Sequence, residues 1–242
     1  MQVIVDGAPI DYSEEGVGPV VVFLHGWRDQ KTTWRPLIDL LKPKFRCVAL
    51  DLPNFGASAE NVHCNTPEQY ATNVAAVLKK IGITDYSLVG HSMGGQIAVY
   101  GTGTGILQPK QLFLIAAAGV RQKTTKKHIL HIGAKVTGKV FPSQVKQSIY
   151  NRLGSDYDVT LSPALKKVLA AMLATDVIDV ARHVTQPTLL IYGEIDLATP
   201  PAYGKLFHQA IPRSKYIELK GADHWLHQKA APTIAEHMKD HL

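Results

Sequence analysis

Long hydrophobic runs are missing from this chain of 242 residues. Its longest apolar stretch, Leu112 to Val120, is much shorter than the roughly 20 residues that cross a bilayer as a helix, and it suits a strand. Residues 1–7 have neither a basic region nor a long apolar core, so they lack the form of a secretory signal. The sequence therefore predicts no transmembrane segment and a cytoplasmic protein.

Cysteine is almost absent, since Cys47 and Cys64 are the only two in the chain. They are not spaced as C-x-x-C, and two such residues make neither a zinc site nor the disulfide framework of a small secreted domain. Cys47 lies in an apolar run and Cys64 in a polar loop. This usage favours a reducing compartment and predicts no metal centre.

Acidic residues are missing from one long segment, Tyr86 to Ser155, where basic residues are frequent. Much of the net charge of +6 therefore falls on one stretch, which predicts an electropositive surface. The basic residues are Lys110, Arg121, Lys123, Lys126, Lys127, Lys135, Lys139, Lys146 and Arg152. A solvated face, attraction of anionic substrates and contact with anionic lipid all stay open. Nucleic-acid binding is disfavoured because no recognisable binding module is present.

Short apolar segments alternate with helical patterns over most of the chain, which predicts an α/β fold with a mostly parallel sheet covered on both faces. The predicted strands are 3–5, 9–13, 20–24, 45–50, 86–89, 111–118, 188–192 and 215–219, and the predicted helices include 34–41 and 67–80. The alternation stops over residues 121–184, where apolar residues recur at helical spacing. We therefore expect a core domain of residues 1–120 and 185–242, with a small helical cap, 121–184, inserted after the sixth strand.

A glycine-flanked serine, Gly90-His91-Ser92-Met93-Gly94, lies between an apolar strand and a predicted helix. This is the nucleophile elbow pattern G-x-S-x-G, in which the serine occupies a sharp strand-to-helix turn. Strand and helix approach so closely there that the residues two before and two after the serine must be small. The position of this motif between an apolar strand and a helix, more than the motif itself, predicts that Ser92 is a nucleophile.

A serine hydroxyl needs a base to take its proton and a third group to orient that base. Asp196 follows the strand at 188–192, and His224 follows the strand at 215–219. Because the carboxyl ends of parallel strands meet at one edge of the sheet, both are expected near Ser92. The chain order serine, aspartate, histidine is the one that accompanies this elbow.

Other polar residues near these strand ends offer alternative roles. Glu194 is an alternative acid, although it lies nearer to the strand end, and Asp223 and Ser58 are interpreted as turn residues. His227 is expected on the surface or in packing. His25 and His91 flank the predicted site, where we expect structural hydrogen bonds or a place at the pocket.

Taken together, these motifs resemble those of the α/β-hydrolase superfamily. The matching residues are His25-Gly26-Trp27, Gly90-His91-Ser92-Met93-Gly94-Gly95, Tyr192-Gly193-Glu194-Ile195-Asp196 and Gly221-Ala222-Asp223-His224. The resemblance implies Ser92 as nucleophile, His224 as general base and Asp196 as its orienting acid. It also implies an oxyanion hole formed by the backbone N–H groups of Trp27 and Met93.

The identity of the nucleophile narrows the chemistry. Members of the superfamily that open epoxides or remove halides carry an aspartate at the elbow, whereas this chain has Ser92. We expect a serine hydrolase that forms an acyl-enzyme from a small carboxylic ester, without a cofactor or metal, and an anionic acyl substrate stays open. Carbon–carbon bond hydrolysis, peroxide-dependent acyl transfer and a ligand-binding role with little turnover stay open as alternatives. The sequence makes no prediction about oligomeric state.

Overall fold

The computed structural model describes residues 1–121 and 161–242, and the strands in these ranges form one eight-stranded sheet. They are β1 (Gln2–Val5), β2 (Ala8–Glu15), β3 (Val20–Leu24), β4 (Arg46–Leu50), β5 (Ser87–His91), β6 (Gln111–Ile115), β7 (Thr188–Gly193) and β8 (Ser214–Leu219). Their order across the sheet is β1-β2-β4-β3-β5-β6-β7-β8. Pairing is antiparallel for β1 with β2 and β2 with β4, and parallel from β4 to β8. The predicted mostly parallel sheet is confirmed.

Helices connect these strands. A 3₁₀ turn (Lys31–Trp34) precedes α1 (Arg35–Leu41), and the others are α2 (Pro67–Lys80), α3 (Met93–Gly103), α4 (Pro163–Ala174), α5 (Ile178–Ala181), α6 (Pro201–Ala210), α7 (Leu226–Lys229) and α8 (Ala231–Lys239). Helix α2 begins as its sequence predicts, because Thr66 accepts a hydrogen bond from the Gln69 backbone while the Gln69 side chain returns to the Thr66 backbone. Pro67 supplies the first helical residue, where a backbone N–H is not needed.

Strand residues alternate between two apolar cores, one on each face of the sheet. Along β3, Val22 and Leu24 face the core that α2 and α3 cover, while Val21 and Phe23 face the core that α1 and α8 cover. The period of two follows from strand geometry. Because both faces are buried, the central strands are apolar throughout, and polar side chains gather where the strands end.

Strand β6 is shorter than its apolar sequence predicts. We expected it to run to Ala118, but it ends at Ile115 because Ala116 adopts a positive φ of 46° and turns the chain out of the ladder. The Ala118 N–H then donates to the carbonyl of Ser92 at 2.9 Å. Backbone direction, which apolarity alone does not encode, sets this boundary.

The predicted cap, 121–184, falls largely outside the described residues, since 122–160 are not among them. The basic residues from Lys123 to Arg152 lie there too, so the electropositive surface stays a prediction. Within the described part, Val168, Leu169 and Met172 of α4 are buried, whereas Leu173 is 51% exposed. Helix α4 therefore packs one face against the rest of the protein, and Leu173 lies off that face.

Both cysteines are buried thiols. Burial raises the pKa of Cys47 and of Cys64 to about 12 in each case, so both stay protonated at neutral pH. In residues 1–121 and 161–242, no helix combines the length and the apolar character needed to cross a bilayer.

Candidate active site

The turn between β5 and α3 has the backbone of a nucleophile elbow. Ser92 adopts φ 50° and ψ −114°. A positive φ is unfavourable for every residue with a side chain, so this position is strained. Its carbonyl accepts hydrogen bonds from the N–H groups of Gln96 and Ala118 at 3.0 and 2.9 Å, which hold the strained residue in place. The Ser92 side chain makes no capping bond to α3, so the helix does not use the hydroxyl.

The glycines around Ser92 allow backbone segments to touch. A Cβ atom added to Gly94 would lie 2.2 Å from the carbonyl oxygen of Leu24, and one added to Gly90 would lie 2.6 Å from the oxygen of Gly94. A Cβ on Gly95 would meet Ala117 at 2.5 Å. The close approach of strand and helix that the motif predicts is present, and it explains why these positions are small.

Asp196 and His224 meet at the carboxyl ends of β7 and β8. The Nδ1–H group of His224 donates to Oδ2 of Asp196 at 2.8 Å. The Asp196 side chain is fully buried, and that of His224 is 18% exposed. Because Nδ1 carries the proton in this hydrogen bond, Nε2 is left as the atom that can accept one.

Backbone donors hold the carboxylate of Asp196. Its Oδ1 accepts from the N–H groups of Ala198 and Thr199 at 2.8 and 2.9 Å. Burial alone would raise the pKa of Asp196, but the hydrogen bond and charge of His224 and the Thr199 donors outweigh it and hold this pKa below its ordinary value. Asp196 is therefore ionised at neutral pH. Sequence reasoning missed Thr199, which lies three residues after the acid.

His91 joins the elbow to the loop that carries His224. Its Nε2–H donates to the carbonyl oxygen of His224 at 2.9 Å, and the two rings lie 4.8 Å apart between centroids. Burial, followed by repulsion from neighbouring histidines, lowers the pKa of His91 well below its usual value. A neutral His91, adjacent to Ser92 in sequence, thus brings the histidine loop against the elbow.

His227 was expected either on the surface or packed inside the protein. It is completely buried, so it has the packing role. Its ring stacks on that of His91 at 3.9 Å, and its Nε2 lies 2.8 Å from Oγ1 of Thr33. Burial and the nearby His224 lower the pKa of His227 to about 3. These two uncharged rings therefore pack next to His224, whose ring centroid lies 4.8 Å from that of His91.

In the described part of the chain, one group of possible metal ligands lies close together: single ligand atoms of Asp29, His91 and His227 are within 4.8 Å of one another. The two rings pack with their centroids 3.9 Å apart and an interplanar angle of 33°. Nε2 of His91 donates to the carbonyl oxygen of His224, and Nε2 of His227 lies 2.8 Å from Oγ1 of Thr33, so one nitrogen of each ring already has a partner. The arrangement suits ring packing better than metal coordination.

His25 fixes the loop that follows β3. Leu52 donates its N–H to His25 Nε2 at 3.0 Å, so Nδ1 carries the proton and donates to the Gly26 carbonyl at 2.8 Å. Burial lowers the pKa of His25. Gly26 lies so near the elbow that an added Cβ would be 3.2 Å from Cβ of Ser92. His25 is thus a structural part of the loop that leads to Trp27.

The two residues predicted to form an oxyanion hole lie on opposite sides of Ser92 in the chain. Met93 is the first residue of α3, where backbone N–H groups have no partner within the helix. Trp27 follows Gly26, and its ring packs edge-on against Phe55 with centroids 5.4 Å apart. Both therefore belong to segments that meet at the elbow.

A cleft of about 320 Å³ opens beside this loop. It is lined by Arg28, Asp29, Gln30, Asn54, Phe55, Gly56 and Leu165. Its size lies at the small end of the range for ligand pockets, and its lining mixes polar groups with apolar Phe55 and Leu165.

The competing candidates are occupied elsewhere. The carboxylate of Glu194 accepts from the Gly221 N–H at 2.8 Å, and Asp223 accepts from the Trp225 N–H and pairs with Lys229. Ser58 donates to the Asp51 carbonyl at 2.6 Å. Each of these side chains stabilises a loop, whereas Asp196 contacts His224.

Comparison with known proteins agrees with this geometry. A model of the alpha/beta hydrolase family matches residues 21–236. The chain is 25% identical to a pimeloyl-[acyl-carrier protein] methyl ester esterase of Vibrio vulnificus, covering 94% of this chain and 93% of the relative. It is 26% identical to a non-heme haloperoxidase of Rhodococcus erythropolis, with 81% and 82% covered.

Among solved structures, the enol-lactonase of Burkholderia xenovorans LB400 superposes with a TM-score of 0.78 at 22% identity, covering 99% of this chain and 98% of that one. At this identity the likeness shows the fold. The family match spans most of the sequence, including the elbow and both strand ends described above. The chain belongs to the alpha/beta hydrolase family.

Proposed function

We propose that this protein is a serine hydrolase that cleaves a small carboxylic ester through an acyl-enzyme. Ser92 is the nucleophile, His224 the general base and Asp196 its orienting acid. The observation that carries the proposal is the hydrogen bond of 2.8 Å from His224 Nδ1 to the buried Asp196, in a loop that His91 fastens to the strained elbow. Family membership supports hydrolase chemistry, and the name of the Vibrio vulnificus relative supports an ester.

In this mechanism, Ser92 Oγ attacks the carbonyl carbon of the ester while its proton moves to His224 Nε2. The backbone N–H groups of Trp27 and Met93 bind the negative oxygen that forms. The carbon–oxygen bond to the alcohol then breaks, and the alcohol leaves with the proton from His224. Water, deprotonated by the same nitrogen, releases the acid and restores Ser92.

The neutral histidines serve this cycle by staying uncharged. If His91 or His227 carried a proton, its charge would oppose the formation of the imidazolium on His224. Burial keeps both neutral, so the carboxylate of Asp196 is the charged group in contact with His224.

The test is hydrolysis of p-nitrophenyl esters of increasing acyl length by the wild type, Ser92→Ala and Ser58→Ala. We expect Ser92→Ala to lose at least about a thousandfold in kcat. Ser58 also follows a strand of the sheet, but it holds a loop, so Ser58→Ala should retain activity within a few fold.

A wild type that cleaves none of these esters, or a Ser92→Ala variant that keeps the rate, would contradict the proposal. Because the Rhodococcus erythropolis relative is named a non-heme haloperoxidase, the assay also measures halide oxidation in the presence of peroxide. If halide oxidation requires both peroxide and a carboxylic acid and exceeds hydrolysis, acyl transfer to peroxide is the main reaction instead.

A further inference from the structure

We propose that Thr199 is a positioning residue for the Asp196–His224 pair, holding the carboxylate and the imidazole in register through one shared hydroxyl. The proposal rests on the function proposed above, since it assigns Asp196 and His224 to catalysis.

The Thr199 hydroxyl contacts both members of the pair. Its Oγ1 lies 2.8 Å from Oδ2 of Asp196 and 3.1 Å from Nδ1 of His224. It also donates towards the carbonyl oxygen of Ala116 at 2.9 Å. Thr199 is 3% exposed, so water does not compete freely for these bonds.

A hydroxyl has one proton and therefore donates to one acceptor at a time. When the hydroxyl donates its proton to Asp196, it makes a hydrogen bond to a buried carboxylate. When it donates to the Ala116 carbonyl instead, a lone pair of its oxygen faces the Nδ1–H group of His224. Either way, the oxygen limits where Oδ2 and Nδ1 can lie. The second arrangement draws the imidazole away from the carboxylate, so the hydroxyl influences how firmly His224 is held.

The backbone fixes this hydroxyl in advance. The Thr199 N–H donates to Oδ1 of Asp196 at 2.9 Å, and the following Pro200 restricts Thr199 to extended conformations. A β-branched side chain is also stiff at χ1. On the opposite side, the positive φ of Ala116 directs its carbonyl to Thr199. The oxygen is thus positioned from two separate strand ends.

The test compares Thr199→Val, which replaces the hydroxyl by a methyl group, with Thr199→Ser, which keeps it. We expect Thr199→Val to lower kcat about tenfold with little change in KM, because a hydrogen bond to a charged group is lost. Thr199→Ser should recover most of the rate. The acid limb of the kcat/KM profile should move to higher pH in Thr199→Val, because a carboxylate with one donor fewer favours the charged imidazole more strongly.

The other ionisable groups near the pair stay the same in both variants. His91, His227 and Asp223 influence His224, and Tyr192 lies near Asp196. A change in the profile between Thr199→Val and Thr199→Ser therefore reports the hydroxyl. Thr188→Val is the matched control, since Thr188 is equally buried at the other end of β7 and donates to the carbonyl of Gln186.

A double-mutant cycle separates positioning from general packing. In an Asp196→Asn background, Thr199→Val should cost less than twofold, because Thr199 acts through the carboxylate. The imidazole Nδ1–H resonance of His224 in proton NMR should shift in Thr199→Val but not in Thr188→Val. Additive losses, an unchanged resonance, or an equal loss in Thr188→Val would overturn the proposal.

The two proposals fail in different ways. A wild type that cleaves no ester, yet shows the Thr199-dependent resonance, contradicts the proposed function and leaves the positioning role intact. An active wild type whose kcat, pH profile and resonance survive Thr199→Val contradicts the positioning role alone.

Discussion

The elbow around Ser92 and the Asp196–His224 pair lie at the same edge of the sheet, but they are held by different forces. The elbow depends on backbone segments in contact, with a Cβ on Gly94 only 2.2 Å from a neighbouring carbonyl. The pair depends on polar bonds, since Asp196 is held by two backbone donors, a hydroxyl and an imidazole.

This difference decides what a local change does to each region. An atom added where backbone segments already touch must displace one of them, so we expect substitutions at the elbow to lower the free energy of unfolding. A single hydrogen bond can be lost while the loop keeps its shape, so we expect substitutions at the Asp196–His224 pair to lower kcat more than they lower stability. Four predictions test this contrast, in order of decreasing effect.

The largest effect is expected from Asp196→Asn. The amide occupies the same volume, but it removes the charge that favours the His224 imidazolium and can turn its NH₂ group towards Nδ1. We expect kcat for ester cleavage to fall about 10⁴-fold, the scale known for such replacements. Steady-state kinetics measures the loss of activity, and thermal unfolding measures any loss of stability. A loss under tenfold, or a loss explained by unfolding, would contradict the contrast.

The second prediction strains the elbow without removing a hydrogen-bonding group. Gly94→Ala places a methyl group against the carbonyl of Leu24, and we expect it to destabilise the protein by about 3 kcal/mol or more. Gly82→Ala is the control, because Gly82 has φ +73° but nothing within 4 Å of an added Cβ. Its cost should stay near 1 kcal/mol. Equal losses in denaturant unfolding would show that contact is not what the elbow requires.

The third prediction concerns acid and the buried histidines. The pKa values of His25, His91 and His227 are lowered in the folded protein, so between those values and about 6.5 the unfolded chain binds more protons. Stability is therefore retained above pH 6.5 and lost as the pH falls below it. Each histidine contributes up to about 1.4 kcal/mol per pH unit in its window.

For His227 this window extends from about 6.5 down to about 3. His227→Gln should therefore reduce the slope of unfolding free energy against pH by about one proton, while its amide can still bond Thr33. Urea unfolding between pH 4 and 7 measures this slope. An unchanged slope would mean that His227 is not held neutral by burial.

The smallest effect is expected from Glu194→Gln. Its carboxylate accepts a loop N–H from Gly221, a bond that an amide oxygen can also accept. We expect kcat to change less than about twofold, with unfolding within about 0.5 kcal/mol of wild type. If this variant instead lost as much activity as Asp196→Asn, Glu194 would be the acid.

How much of the site the sequence predicts follows from the same contrast. The glycines and Ser92 lie within six residues, so their steric requirement is present in a short motif. Strand ends could also be placed from apolar runs, which brought Asp196 and His224 to one edge. The start of α2 at Pro67 was also predicted, and the capping contacts that begin this helix join Thr66 to Gln69, only three residues away.

The features that the sequence did not predict depend on tertiary contact. Thr199 acts on a carbonyl of Ala116, 83 residues earlier in the chain. His227 is buried because it packs against the ring of His91 and bonds the Thr33 hydroxyl, a residue 194 positions earlier in the chain. The end of β6 depends on the left-handed conformation of Ala116. Such partners become visible only when strands from distant parts of the chain lie side by side.

The central claim is that Ser92 is a nucleophile activated by the Asp196–His224 pair. Treating the protein with a fluorophosphonate and mapping the adduct by peptide mass spectrometry tests this directly. We expect one adduct per chain, on Ser92, formed far more slowly in Asp196→Asn and absent from Ser92→Ala. An unlabelled wild type, an adduct on another residue, or labelling at the same rate in Asp196→Asn would contradict it.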